Sequence, residues 1–165
     1  MQTYIQLGMF MSSTCATALF AFGLLLPATV AAEITLEDTR NGAPLTVKGD
    51  TEQAKQFLQT GKNPYIGNQQ AIAEGKKLYQ LYSCAQCHGA QAQGQTAKGL
   101  TGPQFNHAKS ANDEGMFEII WAGTNGGMSG KGKGHMDPTN ANNGLSADEA
   151  LKVIAWIRNQ GQGGK

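Results

Sequence analysis

Charge is missing from the first 32 residues, where no Lys, Arg, Asp or Glu precedes Glu33. The apolar run from Ala16 to Leu26 is short for a membrane span, and it closes in Pro27-Ala28-Thr29-Val30-Ala31-Ala32. Small residues at the minus-three and minus-one places, Val30 and Ala32, suit a signal peptidase, so residues 1–32 read as an export signal. Its n-region has no basic side chain, which leaves an uncleaved anchor as the alternative. Cysteine is scarce, with three in 165 residues. Cys15 falls inside the export segment, so Cys84 and Cys87 have no second pair with which to close a structural zinc site. A basic excess is also lacking: 13 Lys and Arg face 12 Asp and Glu for a net charge of +1, which argues against nucleic acid or anionic lipid as a partner. The glycine-rich tract 123–134 has neither the preceding strand nor the Lys-Ser/Thr ending of a phosphate-binding loop. The length supports one core.

What is present centres on Cys84-Ala85-Gln86-Cys87-His88, the C-x-x-C-H pattern of c-type haem attachment. Two thiols at this spacing add across both haem vinyl groups, and the adjacent imidazole becomes the proximal iron ligand. Dithiol redox chemistry on a thioredoxin-like unit would want a strand and a βαβ context; a helical stretch, 71–82, leads into the motif instead. With Cys84 and Cys87 committed to thioethers, no disulfide is expected even in an oxidising compartment. The 22 glycines crowd into residues 94–134, so that half should be loop-rich, with the haem supplying hydrophobic mass.

The pattern around the motif is all-α. Residues 33–50 alternate apolar and polar around Asn41-Gly42, a hairpin or two extended arms, and Asp50 precedes a helix over 51–59 that Gly61 stops. This extension and the linker 62–68, broken at Pro64 and Gly67, occupy residues 33–68 as an appendage to a haem domain at 69–165. In the helix 69–82, Gly75 costs stability and so signals a close backbone crossing. Its partner is the strongly apolar helix after the capping box Ser146-Ala147-Asp148-Glu149, with Trp156 packing on Gly75 and Tyr79. Between them Asn112 caps a helix over 113–122 that ends at Gly123, and its large apolar residues should wall the porphyrin. The tract 123–134 then crosses the distal haem edge as a flexible loop.

A six-coordinate iron needs a distal donor, and the candidates after the motif are His107, Met128, His135 and Met136. A Met thioether favours ferrous iron and a high potential. Met136 is the choice, because Met136-Asp137-Pro138 is a Pro-stiffened segment shortly before the last helix, whereas Met128 lies among glycines. His135 would make a bis-His haem of lower potential, and His107 lies in a polar loop. The His88 imidazole also needs an acceptor for its other nitrogen. Thr101-Gly102-Pro103 can supply the free Pro103 carbonyl or can be a plain turn.

Taken together, the helix with Gly75 and Tyr79, the haem motif, Gly102-Pro103, a distal Met and the closing helix with Trp156 resemble class I cytochrome c. A narrower set resembles the cytochrome cL family: Lys62-Asn63-Pro64-Tyr65 with Gly67-Asn68, Ala73-Glu74-Gly75-Lys76-Lys77-Leu78-Tyr79, Gly123-Thr124-Asn125-Gly126 and Ile154-Ala155-Trp156-Ile157-Arg158. This resemblance implies a class I cytochrome c fold around one covalent haem c and a periplasmic, methylotrophic electron carrier that is not an enzyme. It implies a PQQ-dependent methanol dehydrogenase as donor and a smaller c-type cytochrome or terminal oxidase as acceptor. The long loop 126–143 and the short stretch after the closing helix are more similar to the versions paired with lanthanide-dependent methanol dehydrogenases. The rival classes are a haem peroxidase, with an open sixth position and His107 or His135 as acid/base, and a redox or gas sensor with a labile distal Met.

Overall fold

The computed structural model describes residues 33–162, and the proposed export signal lies outside them. Five α-helices follow in order: α1 (Glu52–Thr60), α2 (Gln69–Leu81), α3 (Cys84–His88), α4 (Asp113–Ala122) and α5 (Ala147–Gln162), with a 3-10 turn at Ala108–Ala111 before α4. Among the described residues the extended pairings are isolated bridges, and no helix is long and apolar enough to cross a membrane.

Capping residues explain where the helices begin. Thr51 accepts from the Ala54 amide at 3.1 Å, Asn68 from Ala71 at 3.0 Å and Asn112 from Gly115 at 2.7 Å, each relieving an orphan donor of the first turn. At α5 the capping box is reciprocal, with Glu149 N donating to Ser146 Oγ at 3.3 Å and Ser146 N to Glu149 Oε2 at 2.9 Å.

The crossing of α2 and α5 organises the molecule. A Cβ on Gly75 would lie 2.0 Å from the Lys152 carbonyl oxygen and 3.1 Å from Trp156 Cβ, so only glycine allows the two backbones to meet here. One turn on, Tyr79 and Trp156 pack ring on ring, with centroids 4.4 Å apart and planes tilted by 45°. The predicted partnership of these three residues is present.

The stretch from residue 33 through α1 is more integrated than an appendage. Leu36, Ala54, Phe57 and Leu58 are buried in the same core as α4 and α5, and the Phe57 and Phe117 ring centroids are 4.9 Å apart. The expected hairpin reduces to a single antiparallel bridge, Glu37 to Pro44, around a turn closed by Asp38 N donating to the Ala43 carbonyl at 2.7 Å. Glu37 N donates to Glu118 Oε1 at 2.8 Å, and Lys109 Nζ neutralises this buried carboxylate from 3.0 Å. The linker is likewise more than a surface strap. Buried Asn63 donates through Nδ2 to the Leu151 carbonyl at 2.8 Å, and the Tyr65 hydroxyl donates to Asp148, which also takes Thr51 Oγ1 at 2.8 Å and Lys152 Nζ at 2.9 Å. Burial, reinforced by the Asp148 carboxylate, pushes the Tyr65 phenol up to about 12.

The glycine-rich tract is pinned at its C-terminal end. Lys131 N and Gly132 N donate to the Ile120 and Trp121 carbonyls at 2.8 and 3.1 Å, satisfying acceptors at the end of α4. A Cβ on Gly132 would fall 2.2 Å from the Trp121 indole, which explains a glycine there as close approach to an aromatic face. Lys133 N and Leu145 N complete the tie by donating to the Leu145 and Lys131 carbonyls at 3.0 and 2.7 Å.

Candidate functional site: a haem cleft

The motif helix α3 is set by its flanks. After α2 the chain reverses through Ser83, which adopts φ 60°, and after His88 it leaves through Gly89 at φ 80°. The buried Tyr79 hydroxyl donates to the Gly89 carbonyl at 2.9 Å, so the residue that packs on Trp156 also fixes the exit from the motif.

The following loop folds back onto the carbonyls of α3. Gly94 N donates to the His88 carbonyl at 2.7 Å, Ala97 N to the Cys87 carbonyl at 2.9 Å, and Leu100 N to Ala92 at 2.8 Å. Gly99 makes this turn possible, since a Cβ there would lie 2.6 Å from the Gln93 carbonyl oxygen. The result brings the Lys98 carbonyl to 2.9 Å from His88 Nδ1. A carbonyl can only accept, so Nδ1 carries the proton and Nε2 keeps its lone pair for a metal. The predicted acceptor was Pro103, and the structure places another backbone oxygen in that role. Pro103 itself is exposed, and the His88 Nδ1 partner is the Lys98 carbonyl instead.

His88 and Cys87 line an open cleft of about 280 Å³. Leu100 and Phe105 from the following loop, Ile119 from α4 and Met128 from the tract after Gly123 supply its apolar wall, and Ser110 and His107 contribute polar groups. Of the α4 residues expected to wall the porphyrin, Ile119 is the one on this cleft; Phe117 turns to Phe57, and Trp121 packs against Gly132. Cys84 is half-buried against the core, with its Sγ 3.9 Å from the Tyr82 carbonyl, and burial pushes its thiol up. Cys87 is exposed, and both thiols are free.

The distal candidates separate. Met128 stands on the cleft wall, in a tight turn where Gly123 bridges Ser129 and Thr124 N donates to the Met128 carbonyl at 2.8 Å. Met136 is absent from that wall; its amide donates to the Gly132 carbonyl at 3.0 Å, in a segment anchored to α4 and Leu145. His135 lies with Nδ1 3.3 Å from Arg40 Nη2, and His107 lines the cleft from an exposed loop. The choice of Met136 rested on stiffness near Pro138, whereas position along the cleft is decided by backbone hydrogen bonds to the end of α4.

These donors fit a haem attached through thioethers: free thiols with two residues between them, an imidazole whose Nδ1 is engaged, a thioether on the same cleft, and apolar walls. Comparison with known proteins agrees. Residues 72–161 match the cytochrome c family model. Cytochrome c-L of Methylorubrum extorquens is 38% identical over 109 residues, 66% of this chain, and the chain spans about half (50%) of that relative's length. The crystal structure of cytochrome cL from Methylophaga aminisulfidivorans aligns with a TM-score of 0.64 at 32% identity, covering 76% of this chain and 79% of that one. Cytochrome cL from Hyphomicrobium denitrificans gives 0.63 at 35% identity, covering 77% and 73%. The chain therefore belongs to the cytochrome c family, with the class I fold and covalently bound haem c of its cytochrome cL members.

Proposed function

We propose that this chain is a periplasmic carrier of single electrons, reduced by a PQQ-dependent methanol or alcohol dehydrogenase and oxidised by a smaller c-type cytochrome or a terminal oxidase. The haem, held by the Cys84 and Cys87 sulfurs, supplies a one-electron ferric/ferrous couple. His88, its tautomer fixed by the Lys98 carbonyl, would hold the iron through Nε2, and Met128 would offer its sulfur as the second ligand from the same cleft. Leu100, Phe105 and Ile119 exclude water along the cleft and so favour the less charged ferrous state. The single observation that carries this reading is that Cys87, His88 and Met128 line one cleft.

A Met128 thioether on the iron would leave no open position for substrate, which favours a carrier over a peroxidase. His107, also on the cleft, is the group an enzyme would use as acid/base. With so little net charge, docking relies on local contacts and a small, transient interface more than on long-range steering. Stopped-flow mixing of the ferric holoprotein with calcium-type and lanthanide-type methanol dehydrogenases, each first reduced with methanol, tests the donor. Rapid single-electron reduction by one of them is expected; no reduction by either, or turnover of peroxide, would overturn the reading.

A further inference from the structure

The turn ahead of α1 is tied to the loop bearing Met128 by polar contacts that core packing does not demand. The Thr39 hydroxyl donates to the Gly123 carbonyl, and Asn125 Nδ2 donates to the Arg40 carbonyl at 2.9 Å. Further along, Arg40 Nη2 lies 3.3 Å from His135 Nδ1. Arg40 is itself fixed on buried Asp38 by charge-assisted bonds of 2.9 Å from Nε and 2.7 Å from Nη2. The turn is anchored below by buried Leu36 and by the Glu37 amide on Glu118 of α4.

The loop it touches is less well held. Between Gly123 and Ser129, Asn125, Gly126 and Gly127 are exposed, and a Cβ on Gly127 would meet nothing within 4 Å. Thr124 N to the Met128 carbonyl closes this turn upon itself and leaves its tilt over the cleft to outside contacts. Thr39 grips the Gly123 end, and the Arg40 carbonyl grips Asn125, three positions before the sulfur.

We infer that residues 37–42 brace the distal ligand: Thr39 and Asn125 are positioning residues that hold Met128 at the iron and set how readily an external ligand displaces it. This inference rests on Met128 being that ligand. Each contact is partly solvated, so losing one should raise the population with sulfur detached by about threefold to tenfold.

The test uses ferric holoprotein and cyanide as the probe. Thr39→Val and Asn125→Ala should each bind cyanide about threefold to tenfold faster than wild type, and Thr39→Ser should restore the wild-type rate. The red charge-transfer band of thioether-bound ferric iron and the thermal midpoint report ligation and folding for each variant. Wild-type cyanide rates in folded Asn125→Ala, with the same result in Thr39→Val wherever it folds, would overturn the brace. Met128→Ala separates the two readings: loss of the red band with fast cyanide binding supports the ligand on which the brace depends. A retained band refutes that ligand and the brace with it.

Discussion

Replacing Gly75 by Ala should destabilise the protein, although alanine is the better helix former by about 1 kcal/mol. The added Cβ would lie 2.0 Å from the Lys152 carbonyl oxygen and 2.5 Å from its carbon, both backbone atoms that cannot rotate away. To reach a tolerable separation α5 must retreat by about an ångström, which loosens the 4.4 Å packing of Tyr79 on Trp156. Overpacking of this kind costs about 1–3 kcal/mol, and the weakened aromatic pair adds about 0.5–1.5 kcal/mol. After the helix-propensity gain the net loss is about 2 kcal/mol, or roughly 6–10 °C in melting temperature for a domain of this size. Thermal unfolding of the holoprotein, followed by far-ultraviolet circular dichroism, reads the effect. Because helix propensity and the crossing predict opposite signs, an unchanged or raised midpoint for Gly75→Ala would refute the close approach of α2 and α5.

Further expectations concern charge and caps. The hydrogen bonds from Arg40 hold the Asp38 carboxyl at about 2, below its ordinary 3.8. A depressed carboxylate stabilises the fold above its unfolded pKa and loses that contribution as pH falls. The melting-temperature advantage of wild type over Asp38→Asn should therefore be flat near neutrality and shrink from about pH 4 towards pH 2; a pH-independent difference would contradict it. Ser146→Ala removes one arm of the capping box and should cost about 1 kcal/mol in denaturant unfolding; no change in midpoint would show that Glu149 caps α5 unaided.

The sequence made the helical frame legible where one residue type has one physical use. Asn112 before an acidic first turn and Ser146 three positions before Glu149 mark helix starts, and both cap as expected. Gly75 in an otherwise favourable helix signalled a crossing, and Trp156 is there to meet it. The haem motif was legible for the same reason, since its spacing matches the chemistry of attachment. What escaped was loop geometry. Met128 and Met136 are equivalent as sulfur donors, and their different places relative to the cleft follow from the Lys131 and Gly132 amides that tie the later segment to the end of α4. Any residue except proline can donate such a bond, so side-chain identity gives little clue; Gly132 against the Trp121 ring hinted that this stretch was committed elsewhere. The acceptor for His88 was missed in the same way, because Lys98 serves through its carbonyl, positioned by Gly94 and Gly99.

The most direct test of the central claim is the visible spectrum and reduction potential of ferric Met128→Ala beside Met136→Ala. With Met128 on the iron, the red thioether band disappears and the potential falls in the first variant, while the second keeps the wild-type spectrum. A band retained in Met128→Ala and lost in Met136→Ala would contradict it.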